Sequence, residues 1–165
     1  MITDGNGKRL PVALTIAGSD SGAGAGIQAD LLTFAGCGVF GTTAISALTA
    51  QNPSGVTDVH PTPPDNLAQQ ISQVLDFFPV AAVKTGMLRG EASVHVVAEQ
   101  MDRLPDVALV VDPVLTATSG ATLAGHNTFS ALQELLLPRA SLVTPNLDEA
   151  AALTGERPSS PDDLK

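Results

Sequence analysis

The chain has 165 residues, 44% of them hydrophobic and 15% charged, enough for one domain with a core, too few for two, and not the composition of a disordered chain. A formal net charge of −9, 3% aromatics and no Trp or Tyr argue against nucleic acid and anionic membranes, which need basic faces and, for single strands, stacking rings. A nucleotide held through Mg2+ and backbone amides stays open.

Met1 to Arg9 is polar and glycine-rich, with no apolar stretch behind it of signal-peptide or bilayer-spanning length, so a cytoplasmic protein is expected. Residues 1–10 read as a loose leader before a single domain over 11–165. Pro11 to Ala17 is a short apolar run of strand type, covered on both faces. From Gly24 to Ala35 the spacing of Ile27, Leu31 and Phe34 predicts a helix. Cys37, the single cysteine, excludes an internal disulfide or a cysteine zinc site and reads as a small buried thiol at the end of that helix. Val39 to Thr49 predicts a second strand that runs out at Gln51-Asn52-Pro53.

Pro61 to Pro64 breaks the chain, and Asp65 or Asn66 is placed to cap a helix carrying Leu67, Ile71, Val74, Leu75 and Phe78. Val80 to Val83 is a third strand ending in Lys84-Thr85-Gly86-Met87; Glu91 to Leu104 is a helix with Val94, Val97, Ala98 and Met101 inward. Val107 to Val111 is a fourth strand ending in Asp112-Pro113, followed by a glycine- and threonine-rich loop and a helix from Asn127 to Leu137. Leu142-Val143 is a short strand running into Thr144-Pro145-Asn146, where a last helix starts that stops at Gly155. Ser159-Ser160-Pro161-Asp162-Asp163-Leu164 has the form of a further helix start, which suggests a fragment of a longer chain.

Strands alternating with helices predict an α/β fold, a mostly parallel sheet with helices on both faces. In such sheets ligands bind beyond the carboxyl ends of the strands. The unusual polar residues of this chain all stand at those ends, so they are expected to converge on one edge.

The stretch Gly18-Ser19-Asp20-Ser21-Gly22-Ala23-Gly24-Ala25-Gly26 after the first strand is a small-residue loop of the kind that admits a ligand close to the backbone. Its glycines lack the G-x-G-x-x-G spacing, and no lysine lies between Lys8 and Lys84 to complete a P-loop. Asp30 shares the inward stripe of its helix with Ile27 and Phe34. A carboxylate there pairs with backbone amides or Lys84, or it meets an amino or hydroxyl group of a ligand. Gln51 offers donor and acceptor to a heteroaromatic edge, or bonds its own loop. Met87 is core filler or the soft wall of a flat-ring pocket.

Asp112 is the best candidate for a metal-linked or phosphate-proximal carboxylate, aimed by Pro113. Asn146 and Glu149 form either a capping box or, with Asp112, an oxygen-rich set suited to water-retaining Mg2+. Thr116, Thr118 and Ser119 are phosphate-directed hydroxyls or plain loop residues. His60, His95 and His126 lack metal spacing.

The segments Leu14-Thr15-Ile16-Ala17-Gly18-Ser19-Asp20-Ser21, Gly24-Ala25-Gly26-Ile27-Gln28-Ala29-Asp30, Thr49-Ala50-Gln51-Asn52, Lys84-Thr85-Gly86-Met87-Leu88, Val111-Asp112-Pro113-Val114 and Thr144-Pro145-Asn146-Leu147-Asp148-Glu149-Ala150 resemble the hydroxymethylpyrimidine/phosphomethylpyrimidine kinases of thiamine biosynthesis. The resemblance runs in order from Pro11 to Gly155 and implies a three-layer αβα, ribokinase-like (Rossmann-like) fold, here its N-terminal portion. It also implies ATP- and Mg2+-dependent phosphorylation of 4-amino-5-hydroxymethyl-2-methylpyrimidine and then of its monophosphate, by a homodimer when full length. By position it assigns Gly18, Asp30, Gln51, Met87 and Val114 to the pyrimidine. Asp112, Asn146, Glu149 and Lys84 fall on the nucleotide–phosphate side, with Asp112 and Glu149 nearest Mg2+. The chain departs from the family pattern at Leu115, where a methionine is usual, and near Thr118, where a lysine is usual. The family's Gly-Thr-Gly-Cys anion hole and catalytic base have no counterpart here, so these residues alone are expected to be inactive. A pyridoxal kinase is the nearest alternative substrate class, and a non-catalytic pyrimidine-binding module the alternative of another kind.

Overall fold

The structure is a computed structural model that describes residues 2–115 and 126–157. A six-stranded sheet runs in the order β3-β2-β1-β4-β5-β6, with β1 Val12–Asp20, β2 Phe40–Asn52, β3 Gly55–Pro61, β4 Val80–Thr85, β5 Ala108–Val111 and β6 Leu142–Val143. All neighbours are parallel except β2 and β3. The helices are α1 Gly26–Gly36, α2 Pro64–Phe77, α3 Glu91–Met101, α4 His126–Ala131 and α5 Leu147–Thr154.

Connection handedness decides which face each helix covers. Crossovers between parallel strands are right-handed. The chain steps from β1 to β2 in one direction and later from β2 past β1 to β4 in the other, so α1 and α2 fall on opposite faces. The side chains agree. Leu14, Ile16, Val83, Leu109 and Val111 point to the face of α2 and α3, where they join Leu67, Ile71, Val94 and Val97 in the main core. Thr15 and Lys84, paired in register, point the other way and bond Asp30 of α1. The strand order therefore reverses between β1 and β4, where a crevice opens at the carboxyl ends.

Several expectations are revised. β1 continues through Gly18-Ser19 to Asp20, and α1 starts at Gly26 rather than Gly24. Cys37 is exposed, not a core thiol: it is the C-cap of α1, in the short turn that leads into β2. β3 is an unforeseen antiparallel hairpin partner of β2, its turn closed by Ser54 N–H donating to Asn52 Oδ1 at 2.8 Å. Neither Asp65 nor Asn66 caps α2; the helix enters from Pro63 with Pro64 at its first position, where a missing N–H costs nothing. α3 ends at Met101, short of Leu104, and α4 passes into a π turn over Leu132–Leu136 and a 3-10 turn over Leu137–Arg139. Residues 2–10 fold back on themselves through a Thr3–Arg9 bridge, with the Asp4 carboxylate accepting from Asn6 and Lys8 N–H. Thr116, Thr118, Ser119 and the helix start at Ser159 lie outside the described residues.

One polar atom in the core stands out. Thr85 Oγ1 is fully buried and has no hydrogen-bond partner among the described residues. A buried unsatisfied hydroxyl costs about 1–3 kcal/mol, whereas an apolar group of the same shape does not. Thr85→Val is thus expected to raise stability by about 1 kcal/mol, read as a higher urea midpoint at unchanged m-value.

Candidate active site

Each wall of the crevice is set by a strand end and by the hydrogen bonds that hold it. At the end of β1 the buried Asp20 carboxylate accepts the N–H groups of Gly22 (2.8 Å), Gly24 (3.0 Å) and Ala25 (2.9 Å). Ala25, the N-cap of α1, brings no side-chain cap of its own, and Asp20 satisfies from the strand the backbone N–H groups just ahead of the helix, that of Ala25 included. Gln28 of α1 ties the helix to the strand end: its Oε1 accepts Asp20 N–H and its Nε2 donates to Ser19 Oγ.

The end of β2 is clamped to the same loop. Ser21 Oγ accepts from Gln51 N–H at 2.8 Å and donates to Gln51 C=O at 2.7 Å. Thr49 Oγ1 lies 3.0 Å from the Ser19 carbonyl and 3.3 Å from Gln51 Oε1, so the Gln51 side chain is held at the mouth. Upstream, the β1–β2 register slips between Ala17 and Gly18. The resulting bulge turns Ser46 to donate to the Met87 carbonyl at 2.6 Å. Met87 packs with Ala47, Val59 of the unforeseen β3, and Val114.

At the end of β4, Lys84 Nζ sits between two carboxylates, 3.1 Å from Asp30 Oδ1 and 3.4 Å from Asp112 Oδ2. Thr15 Oγ1 adds a 2.6 Å bond to Asp30 Oδ2. The side chains of Asp30, Lys84 and Asp112 are 17%, 22% and 30% exposed, so this acid–base–acid row is partly desolvated and open to the crevice. At the β6 end the capping box is present. Asn146 Oδ1 accepts from Asp148 and Glu149 N–H, and Glu149 Oε2 accepts from Asn146 N–H at 2.9 Å. Glu149 is buried, at 4% exposure, and its Oε1 also accepts Leu115 N–H at 3.3 Å.

These elements enclose a cleft of about 370 Å3. Gly18, Asp30, Gln51, Met87, Val114, Lys84, Asp112, Asn146 and Glu149, the nine residues that the family resemblance assigns by position, all line it. Ser19, Asp20, Gly26, Thr49 and Gly86 line it too and had not been assigned site roles. The placement of Asp20 could have been anticipated from its being the one acid beside the glycines, but its partners are set by the loop's path. His60 and His95 are exposed and do not line the cleft. Among the described residues no group of three His, Cys, Asp or Glu side chains could hold a metal ion, and no helix is long and apolar enough to cross a membrane.

The floor is sterically tight. A Cβ on Gly18 would stand 2.4 Å from Met87 Cε, the mobile tip of a flexible side chain. Gly18→Ala is therefore expected to fold with a stability loss of about 1 kcal/mol or less. It should push Met87 into the cleft and weaken ligand binding by about tenfold, measured by calorimetry.

The comparisons agree with this geometry. Residues 20–165 match the family model described as phosphomethylpyrimidine kinase. The hydroxymethylpyrimidine/phosphomethylpyrimidine kinase of Bacillus subtilis is 50% identical over 153 residues, covering 93% of this chain and 56% of that protein. Among solved structures, a phosphomethylpyrimidine kinase from Clostridium difficile superposes with a TM-score of 0.87 at 40% identity, over 94% of this chain and 67% of that one. The pyridoxal kinase from Staphylococcus aureus in complex with AMP-PCP and pyridoxal gives 0.82 at 36% identity, over 94% and 56%. The chain spans about half or less of the length of the curated relatives it matches. With a ribokinase-like sheet, a cleft at its reversal point and a family match over most of its length, the chain belongs to the phosphomethylpyrimidine kinase family.

Proposed function

We propose that the full-length protein uses ATP and Mg2+ to phosphorylate the hydroxymethyl group of 4-amino-5-hydroxymethyl-2-methylpyrimidine, and then the resulting monophosphate, in thiamine biosynthesis. The observation that carries this reading is the row Asp30–Lys84–Asp112 across the cleft, which separates an end suited to a polar ring from an end suited to phosphate. On the first side, Gln51 offers amide donor and acceptor to the ring edge, Asp30 accepts from an amino group, and Gly18, lacking a Cβ, lets the Met87 side chain lie flat against the floor. Met87 and Val114 supply apolar walls.

On the other side, Asp112, Asn146 and Glu149 face the nucleotide, with Lys84 between the two ends. Asp112 and Glu149 are two carboxylates rather than a cage of three, and both Glu149 oxygens already accept a backbone N–H. That donor set fits a cation that keeps several waters and shares phosphate oxygens, as Mg2+ does. Mg2+, when bound, would neutralise charge on the phosphates. The part of Lys84 is to hold both carboxylates in place and to balance their charge while phosphate enters; that of Asn146 and Glu149 is to fix the helix end that faces it. The base and the remaining charge stabilisation are assigned to the full-length chain, since the relatives are about twice as long. A cytoplasmic setting and a homodimer of the full-length protein belong to the same proposal.

Pyridoxal is the competing substrate, favoured by the likeness to the pyridoxal kinase of Staphylococcus aureus. Calorimetry and ATP turnover with both compounds, on this chain and on the full-length protein, separate the readings. Binding and turnover of the aminopyrimidine alcohol by the full-length protein support the proposal, with binding and no turnover by this chain. Preference for pyridoxal replaces the substrate, and binding without turnover by the full-length protein makes it a binding module.

A further inference from the structure

We propose that the glycine loop is an anion cradle filled from within by the Asp20 carboxylate, which acts as a positioning residue for the cleft and closes the loop to phosphate. Converging backbone N–H groups beside a helix start are the usual receptor for a phosphate. Here the loop amides already have their anion: Oδ1 takes Gly22 N–H, and Oδ2 takes Gly24 and Ala25 N–H, all within 3.0 Å. Asp20 is 5% exposed and makes no ion pair with a lysine, arginine or histidine among the described residues, so these amides are what satisfies its charge.

The loop is wound tightly around that carboxylate. Ala23 N–H donates to the Asp20 carbonyl at 3.0 Å, and Ala23 is held at φ +58, a conformation that costs a non-glycine residue free energy. A Cβ on Gly22 would stand 3.1 Å from Asn52 Cα and from the Gln51 carbonyl oxygen and 3.3 Å from Asp20 Oδ1, so the loop lies close against both the end of β2 and the carboxylate. The wound loop in turn carries Ser21, whose hydroxyl holds both backbone groups of Gln51, and it leads into Gly26, which packs on Gly18. Asp20 thus acts on the ring end of the cleft through Gln51 and Gly18. Taken with the proposed function, on which this consequence rests, the phosphate of the monophosphate substrate and those of the nucleotide both lie toward Asp112, Asn146 and Glu149.

The test begins with the isotopically labelled wild-type chain titrated with inorganic phosphate. The amide signals of Gly22, Gly24 and Ala25 are expected to stay in place; a saturable shift of all three would show an open cradle and overturn the proposal. The second arm removes the carboxylate. Asp20→Ala is expected to weaken binding of the aminopyrimidine alcohol by about tenfold. Sodium formate should restore stability, affinity and the three amide shifts beyond what sodium chloride does at equal ionic strength. A folded Asp20→Ala chain that responds equally to both salts overturns it. If that variant does not fold, the wild-type titration still decides. If the full-length protein does not bind the aminopyrimidine alcohol, the proposed function fails while the phosphate and formate arms stand by themselves.

Discussion

Gly26→Ala is expected to be among the most damaging single substitutions, lowering stability by about 3 kcal/mol or more. Gly26 opens α1 with φ +59, and a Cβ there would stand 2.3 Å from the Gly18 carbonyl oxygen and 3.2 Å from Asp20 N. Both obstacles are backbone atoms of β1, so no side chain can swing aside as Met87 can at Gly18. Either α1 lifts off the strand or β1 bends, and both break the bonds of Gln28 to Asp20 and Ser19. Urea unfolding measures the loss, and calorimetry on the remaining folded protein should show no aminopyrimidine binding. Gly36, at the other end of the same helix, is the control. A Cβ there meets nothing within 4 Å, so Gly36→Ala is expected to be neutral or stabilising by up to about 1 kcal/mol. Equal losses at the two positions would show that the close approach at Gly26 does not matter.

Lys84→Met is expected to cost about 1–2 kcal/mol of stability and at least tenfold in ligand affinity. The substitution keeps the apolar stem and removes the cation between Asp30 and Asp112, leaving two carboxylates facing one cleft. A fully buried pair would lose more, but these side chains are 17–30% exposed and water screens part of the repulsion. Two readings distinguish charge from packing. The deficit should shrink in high salt, and adding Asp30→Asn to Lys84→Met should recover part of it, as a double-mutant cycle would record. A deficit unchanged by salt and by the second substitution would mean that Lys84 acts through its stem alone.

These two positions show what each level of description supplies. The parallel sheet was readable from apolar runs alternating with helical spacing, because burial on both faces favours apolar residues along the strands. The edge that carries the site followed from that pattern alone, since polar residues clustered where the apolar runs stopped. Asn146 with Glu149, and Gly155 at the C-cap of α5, were readable as helix ends because capping is settled within one turn of chain. Resemblance in six short segments placed the chain in its family, and the match over residues 20–165 agrees.

What the sequence left open was decided by partners distant along the chain. Asp30 had two readings, and the structure shows the pairing with Lys84, 54 residues away, in a carboxylate that also lines the cleft. That meeting depends on Thr15 and Lys84 sharing a register row under α1. β3 was missed because its short run, with Val56 and Val59 only half-buried, carries a weak pattern, and its pairing with β2 supplies the signal. Cys37 reads as buried because its neighbours are apolar, whereas its exposure follows from its place in the turn between α1 and β2.

By itself, then, the sequence determined the main alternation of strands and helices, the edge where polar groups gather and the caps of α5, all of them consequences of local spacing. Tertiary structure alone decided that Lys84 bridges Asp30 and Asp112 and that Ser21 clamps the backbone of Gln51. Such contacts are set by sheet register and by the reversal of strand order between β1 and β4, which bring together atoms that no local pattern relates.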